Sequence, residues 1–173
     1  MRGVSWQEGC PVPLEALRLV RVTHFDFEGQ VSQGELVVAA AVADEVVQIF
    51  ERLYALRFPI ARMERIERYG GDDDASMAAN NSSAFNCRRV AGSRSWSEHA
   101  YGTAIDLNPV QNPYVTARGV FPPAGRAYLD RSKPRPGMVV PGTVVEAFER
   151  FGWGWGGRWR RSKDYQHFSK RGR

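Results

Sequence analysis

An α+β domain is what this sequence predicts, and three observations carry the prediction. The 173 residues, 43% hydrophobic and 25% charged, are enough for one full hydrophobic core and argue against wholesale disorder. A β-branched, roughly alternating stretch is followed by a run with helical periodicity, so both element types are present early. No repeat or low-complexity segment divides the chain, which is read as a single domain spanning 1–173 with residues 1–16 as an N-terminal arm.

Residues 17–25 alternate and are rich in β-branched side chains, the pattern of a strand that ends in the turn 26–29. His24 stands alone on it, as a surface or packing residue. Residues 36–38 form a brief apolar segment. From 41 to 56, Val42, Val46, Ile49, Phe50, Leu53 and Leu56 recur at three- and four-residue steps, while Asp44, Glu45, Gln48, Glu51 and Arg52 take the other face. That is an amphipathic scaffold helix, closed by Phe58-Pro59. Residues 60–66 alternate apolar with charged, as a half-exposed strand does. The acidic run Asp72-Asp73-Asp74 lacks the interleaved spacing of a calcium loop and reads as a solvated turn capping the short segment 75–79. Residues 80–88 are polar, small and aromatic without period, a loop of the kind that carries function. Residues 108–136 hold most of the prolines and form a long surface excursion that would wall a substrate groove. Residues 142–151 resemble a short helix with Thr143 as cap and Glu146 three residues on. The glycines of 152–159 end that helix, and the tryptophans among them line either a core or a cleft.

Lys and Arg outnumber Asp and Glu by 24 to 19, a net charge of +5. A basic nucleic-acid binder would rest on that charge alone, because no nucleic-acid motif accompanies it. The excess concentrates at Arg158, Arg160, Arg161, Lys163, Lys170, Arg171 and Arg173, a surface suited to a polyanionic envelope. No apolar run is long enough to span a membrane. The first residues lack the layout of a secretion signal, so either the protein stays inside the cell or a signal was removed. The two cysteines, Cys10 and Cys87, are either two buried thiols or a disulfide closing a loop of about 77 residues, worth roughly 4 kcal/mol. Loop-like surroundings at both favour the disulfide, which leans towards an exported protein.

The densest chemistry lies in residues 97–106, Ser-Glu-His-Ala-Tyr-Gly-Thr-Ala-Ile-Asp. A catalytic zinc takes three protein ligands and leaves one position open, and imidazole and carboxylate suit it. His99, Asp106 and, downstream, His167 supply two histidines and one carboxylate. His99 and Asp106 would face opposite sides of one unbroken strand, so a turn at 100–102 must intervene, with Gly102 taking angles closed to other residues. On the following strand, Ala104 and Asp106 share a face while Ile105 and Leu107 anchor the other. In the second fragment, Tyr165, His167 and Ser169 alternate with Gln166 and Phe168, so His167 points to the metal and Phe168 packs behind. Asp164 precedes that strand, within reach of a water that zinc would bring to a pKa near about 7, as its general base.

Ser97 to Asp106 and Asp164 to His167 resemble the D-Ala-D-Ala carboxypeptidase and dipeptidase family of zinc peptidases. That family includes the vancomycin-resistance D,D-peptidases and phage endolysins that cleave L-Ala-D-Glu bonds, and its wider relatives share the site with the hedgehog signalling domain. The resemblance implies Zn2+ held by His99, Asp106 and His167 on a small antiparallel sheet with flanking helices, and Asp164 as base. An upstream arginine stabilises the oxyanion in the family; Phe85-Asn86-Cys87-Arg88 looks like that segment and nominates Arg88, with Arg89 adjacent. Ser97 matches a serine that helps hold substrate, and Tyr101 and Trp155 are nominated beside it for substrate contact. The implied activity is cleavage of peptidoglycan stem peptides in the cell envelope or outside it, as a D-Ala-D-Ala carboxypeptidase. An L-Ala-D-Glu-type endopeptidase and a non-catalytic zinc-stabilised wall-binding module are the alternatives. A monomer without nucleic-acid partners is expected.

Overall fold

A computed structural model describes residues 1–171. Strand β1, Leu17–Phe25, pairs along its whole length with the antiparallel β2, Val31–Ala39. Strand β2 is longer than its apolar segment suggests, because Ser32, Gln33 and Glu35 are polar only towards solvent while the backbone pairs throughout. Helix α1, Ala43–Ala55, packs across this ribbon. Its buried Val46, Ile49, Phe50 and Leu53 join Val20, Val22, Leu36 and Val38 in the main core. Each such side chain contributes about 1.5–3 kcal/mol on burial.

After α1 the chain is built from short pieces. Strand β3 is only Arg62–Met63, rather than the longer strand its alternation suggests. The side chain of Asn81 ends it: its Oδ1 accepts from the Glu64 N–H at 2.7 Å and its Nδ2 donates to the Glu64 carbonyl at 2.9 Å. Helix α2, Asp73–Ala78, starts at Asp72, whose carboxylate caps it by accepting from the Ala75 N–H. Strand β4, Asn81–Ser82, runs parallel to β3. Strand β5, Ala104–Asp106, follows a 3-10 turn and leads into the excursion.

That excursion is not the aperiodic surface loop expected. Its first residues, Asn108, Gln111 and Asn112, are buried, and strands β6, Tyr114–Thr116, and β7, Gly119–Phe121, form a hairpin. Arg131 organises the rest: its guanidinium donates to the carbonyls of Gln111 (2.7 Å), Tyr128 (3.2 Å) and Val139, and to Oδ1 of Asn112 at 3.0 Å. It also lies over the Tyr165 ring at 4.4 Å, and burial lowers its pKa to about 10.

Helix α3, Thr143–Glu149, is capped by Gly142 and not by Thr143. Thr143 is already helical, which leaves Glu146 one position too late to complete a capping box. Strands β8, Gly154–Trp155, β9, Lys163–Asp164, and β10, His167–Ser169, complete the fold. Two three-stranded sheets matter for function: β5-β10-β8, which lies in the core, and β7-β6-β9, which carries the excursion. Behind β10, Phe168 stacks on Phe148 of α3 with ring centroids 3.8 Å apart. Cys10 and Cys87 form a disulfide, so the N-terminal arm is fastened beside a second small core of Leu17, Val37 and Phe85.

Candidate active site

Three short segments meet at one point. Ser97 caps a 3-10 turn over Glu98–Tyr101, its hydroxyl accepting from the His99 N–H at 3.3 Å. Gly102 ends the turn at φ +68°, and a Cβ there would sit 2.6 Å from the backbone nitrogen of Ala39. Both the angle and the close approach exclude a side chain, and the Gly102 carbonyl accepts from that same Ala39 N–H at 2.9 Å. The reversal presents His99 on the same side as Asp106.

Pairing of β5 with β10 does the rest. Asp106 and His167 are direct cross-strand partners, so their side chains rise from one face. On its other edge Asp106 exchanges both backbone hydrogen bonds with Ser83, at 2.8 and 3.0 Å. Ile105 and Phe168, each fully buried, anchor the opposite face.

The resulting cluster is buried: His99, Asp106 and His167 are 4%, 7% and 6% exposed. Nδ1 of His99 faces the Ala84 carbonyl at 2.5 Å and is assigned as the donor, which leaves the lone pair on Nε2. Nε2 of His99 lies 3.2 Å from Oδ2 of Asp106 and 3.3 Å from Nδ1 of His167, which is 3.0 Å from Oδ1 of Asp106. Four polar atoms from three residues face one another with few protons to share. Ligands on a tetrahedral zinc, at about 2.0–2.2 Å from the metal, are themselves about 3.3 Å apart. The donor set therefore fits such an ion in both type and spacing, and these residues could hold a metal.

The electrostatics carry the same signature. Burial works against charge on His99, but the adjoining Asp106 outweighs it and raises the His99 pKa. Burial also opposes ionisation of Asp106, yet the two histidines hold its carboxyl well below the usual range. Asp164 goes the other way: burial first, then the nearby Asp106 charge, push it up to about 7. The residue is half-buried, but its Oδ1 is sealed from solvent without a hydrogen-bond partner among the described residues.

Asp164 owes its position to the excursion. It pairs with Tyr114 across β9 and β6, and the glycine at 156 makes room for it. A Cβ on Gly156 would lie 2.7 Å from the Asp164 carbonyl oxygen and 2.9 Å from its Cβ.

Arg88 lies close enough for its charge to act on His99, after the larger effects of burial and Asp106. Its Nη2 donates to Oδ2 of Asp73 at 2.6 Å, and its Nε is buried without a partner among the described residues. Arg89 turns away: it is exposed, stacks over Trp96 at 3.7 Å and donates to the Arg94 carbonyl. Tyr101 is half-buried beneath Arg171, 4.2 Å from its ring. Trp155 is 5% exposed, belongs to the main core, and donates its indole N–H to the Tyr165 carbonyl at 2.9 Å. Trp159 is half-buried, with its ring 5.5 Å from that of His167 and its indole nitrogen unpartnered among the described residues. Nothing in the spacing of Trp153, Trp155 and Trp159 tells which of them faces the site. Ala84, Gly156 and Tyr114 were equally hidden, because their contributions are a carbonyl, an empty space and a backbone pairing.

A family model described as D-alanyl-D-alanine carboxypeptidase matches residues 91–170, a little under half of the chain. The matched segment contains His99, Asp106, Asp164 and His167, and begins just past Arg88. The match supports the metallopeptidase family that the motifs resemble and marks the chain as a hydrolytic peptidase. No curated protein and no solved structure matches the chain.

Proposed function

We propose that this protein is a zinc peptidase of the bacterial envelope that removes the terminal D-alanine from peptidoglycan stem peptides. The observation that carries the proposal is the convergence of Nε2 of His99, the Asp106 carboxylate and Nδ1 of His167 within 3.0–3.3 Å, beside an unpartnered carboxylate oxygen. A zinc ion held by these three residues would supply a Lewis acid that acidifies water and polarises a carbonyl.

The chain's own residues account for the remaining chemistry. Asp164, with a pKa raised to about 7, accepts a proton from the attacking water on its carboxylate. The same carboxyl group then delivers that proton to the leaving amine. Arg88 donates from its guanidinium to the developing oxyanion, a fixed positive charge that needs no rearrangement during reaction. Ser97 spends its oxygen on the cap and keeps its O–H free to donate to substrate. A pure binding module has no use for a carboxylate tuned in this way.

Export is supported by the Cys10–Cys87 disulfide, since such bonds persist in oxidising compartments. The substrate assignment is tested by digesting muropeptides and weighing the products. Loss of one alanine is expected. Internal scission would instead make the enzyme an endopeptidase, and unchanged muropeptides with zinc bound would make it a binding module.

A further inference from the structure

The acidic run at 72–74 reads in the sequence as a solvated turn, and the structure divides its members. Asp72 caps α2, and Asp74 is exposed. Asp73 faces inward and takes one end of the Arg88 guanidinium, Nη2 to Oδ2, at 2.6 Å. Both side chains are about two-thirds covered, at 32% and 27% exposure, so the pair is shielded from bulk water more than a surface ion pair.

We infer that Asp73 is the positioning residue for Arg88, holding the guanidinium by Nη2 so that Nε and Nη1 are directed at the reacting carbonyl. The inference rests on reading Arg88 as the oxyanion donor. Three further observations support it. Only one carboxylate oxygen and one guanidinium nitrogen are engaged, so the fork is tethered without being used up. The Nε of Arg88 is buried and has no acceptor among the described residues, a donor kept for something else. The backbone of Arg88 is already fixed, by the disulfide at Cys87 and by its carbonyl accepting from the Ser97 N–H at 3.0 Å, so the side chain is what remains to be ordered.

A long guanidinium swings freely unless it is tied at its far end, and misplacement by about 1 Å can cost on the order of 10²-fold in rate. Asp73 supplies the tie from a different element, α2, which carries no metal ligand. It touches no reacting atom in this arrangement, and its effect passes through Arg88.

The test uses the full zinc-loaded chain, the pentapeptide L-Ala-γ-D-Glu-L-Lys-D-Ala-D-Ala, and the variants Asp73→Ala, Asp73→Glu, Arg88→Ala and the Asp73→Ala/Arg88→Ala pair. Asp73→Ala is expected to lower kcat by about 10- to 100-fold with KM and zinc content little changed. Asp73→Glu should restore most of the loss, and the double variant should be no slower than Arg88→Ala alone. Independently of any substrate, the Arg88 Nε–H resonance should be sharp and slowly exchanging in the parent and in Asp73→Glu, and broadened in Asp73→Ala. A parental kcat in Asp73→Ala alongside a crippled Arg88→Ala would overturn the inference, as would an unaltered Arg88 resonance. Full activity in Arg88→Ala would overturn both the inference and the oxyanion assignment beneath it. If the parent leaves the pentapeptide intact, the proposed substrate fails and the resonance alone decides the role of Asp73.

Discussion

Two three-stranded sheets meet at the site and are stabilised in different ways. The β5-β10-β8 sheet holds two ligands, Asp106 and His167, as facing partners over a core of Ile105, Leu107, Phe148 and Phe168. The β7-β6-β9 sheet holds the proposed base on half-exposed strands, and the excursion around it is ordered by side-chain hydrogen bonds from Arg131, Asn108 and Asn112. Metal ligation needs atoms fixed to tenths of an ångström, which hydrophobic packing beneath a strand supplies. Proton transfer needs a carboxylate that is shielded yet reachable, which a strand at the edge of an excursion supplies. Ligation and base chemistry thus rest on separate structural supports, and each can be disturbed without the other.

The sharpest break between them is expected from the ligands themselves. His99→Ala or His167→Ala should lose both metal and hydrolysis, read by elemental analysis and by muropeptide digestion; zinc retained at parental stoichiometry in either variant would remove that residue from the ligand set. Next in size is Phe168→Ala, which empties the space behind His167 against Phe148. A loss of about 3–5 kcal/mol in unfolding free energy is expected, with reduced zinc affinity in what remains folded. A cost below about 1 kcal/mol would show that β10 does not depend on its core face.

A smaller effect is expected where the two sheets touch. Gly156→Ala places a methyl 2.7 Å from the Asp164 carbonyl oxygen and 3.3 Å from the His167 Cβ, so it should lower kcat by about tenfold with a smaller loss of zinc affinity. Zinc affinity lost in equal measure would mean that the two sheets are not separable in this sense.

The smallest effect is in the pH dependence of the metal-free protein. Asp164 has a folded pKa of about 7, above its ordinary 3.8, so its contribution to stability is complete below 3.8 and is lost as pH rises through about 7. His99, also raised above its ordinary 6.5, contributes below that value and loses the contribution as pH climbs past its folded pKa. Asp106 is lowered, so its contribution is present above 3.8 and disappears only in stronger acid. As pH rises from about 5 through about 7 the Asp164 contribution is lost, and the metal-free melting temperature should fall by several degrees. Asp164→Asn should flatten part of this slope. Zinc should reverse it, because the ligands bind metal deprotonated.

How much of this was legible beforehand also divides between the two sheets. The turn at Gly102, the strand through Asp106, the inward His167 and the Phe168 behind it all follow from short-range alternation and one glycine, and the structure contains each. Helix α1 and strand β1 are equally local and equally visible. The excursion was not, because its order comes from Arg131 reaching carbonyls at 111, 128 and 139, contacts that leave no period in the sequence. The same holds for Asn81, whose side chain cuts short the strand expected over 60–66, and for Gly142, which displaces Thr143 as the cap of α3. Asp73 shows the limit most plainly, since a run of three aspartates gives no hint that its middle member faces Arg88.

The central claim is that three residues hold the metal and a fourth, on the other sheet, moves the proton. Zinc content and muropeptide turnover measured together on Asp164→Asn test it most directly. The expected result is parental zinc with hydrolysis reduced by at least about 10²-fold. Parental turnover by that variant, with its zinc in place, would contradict the claim.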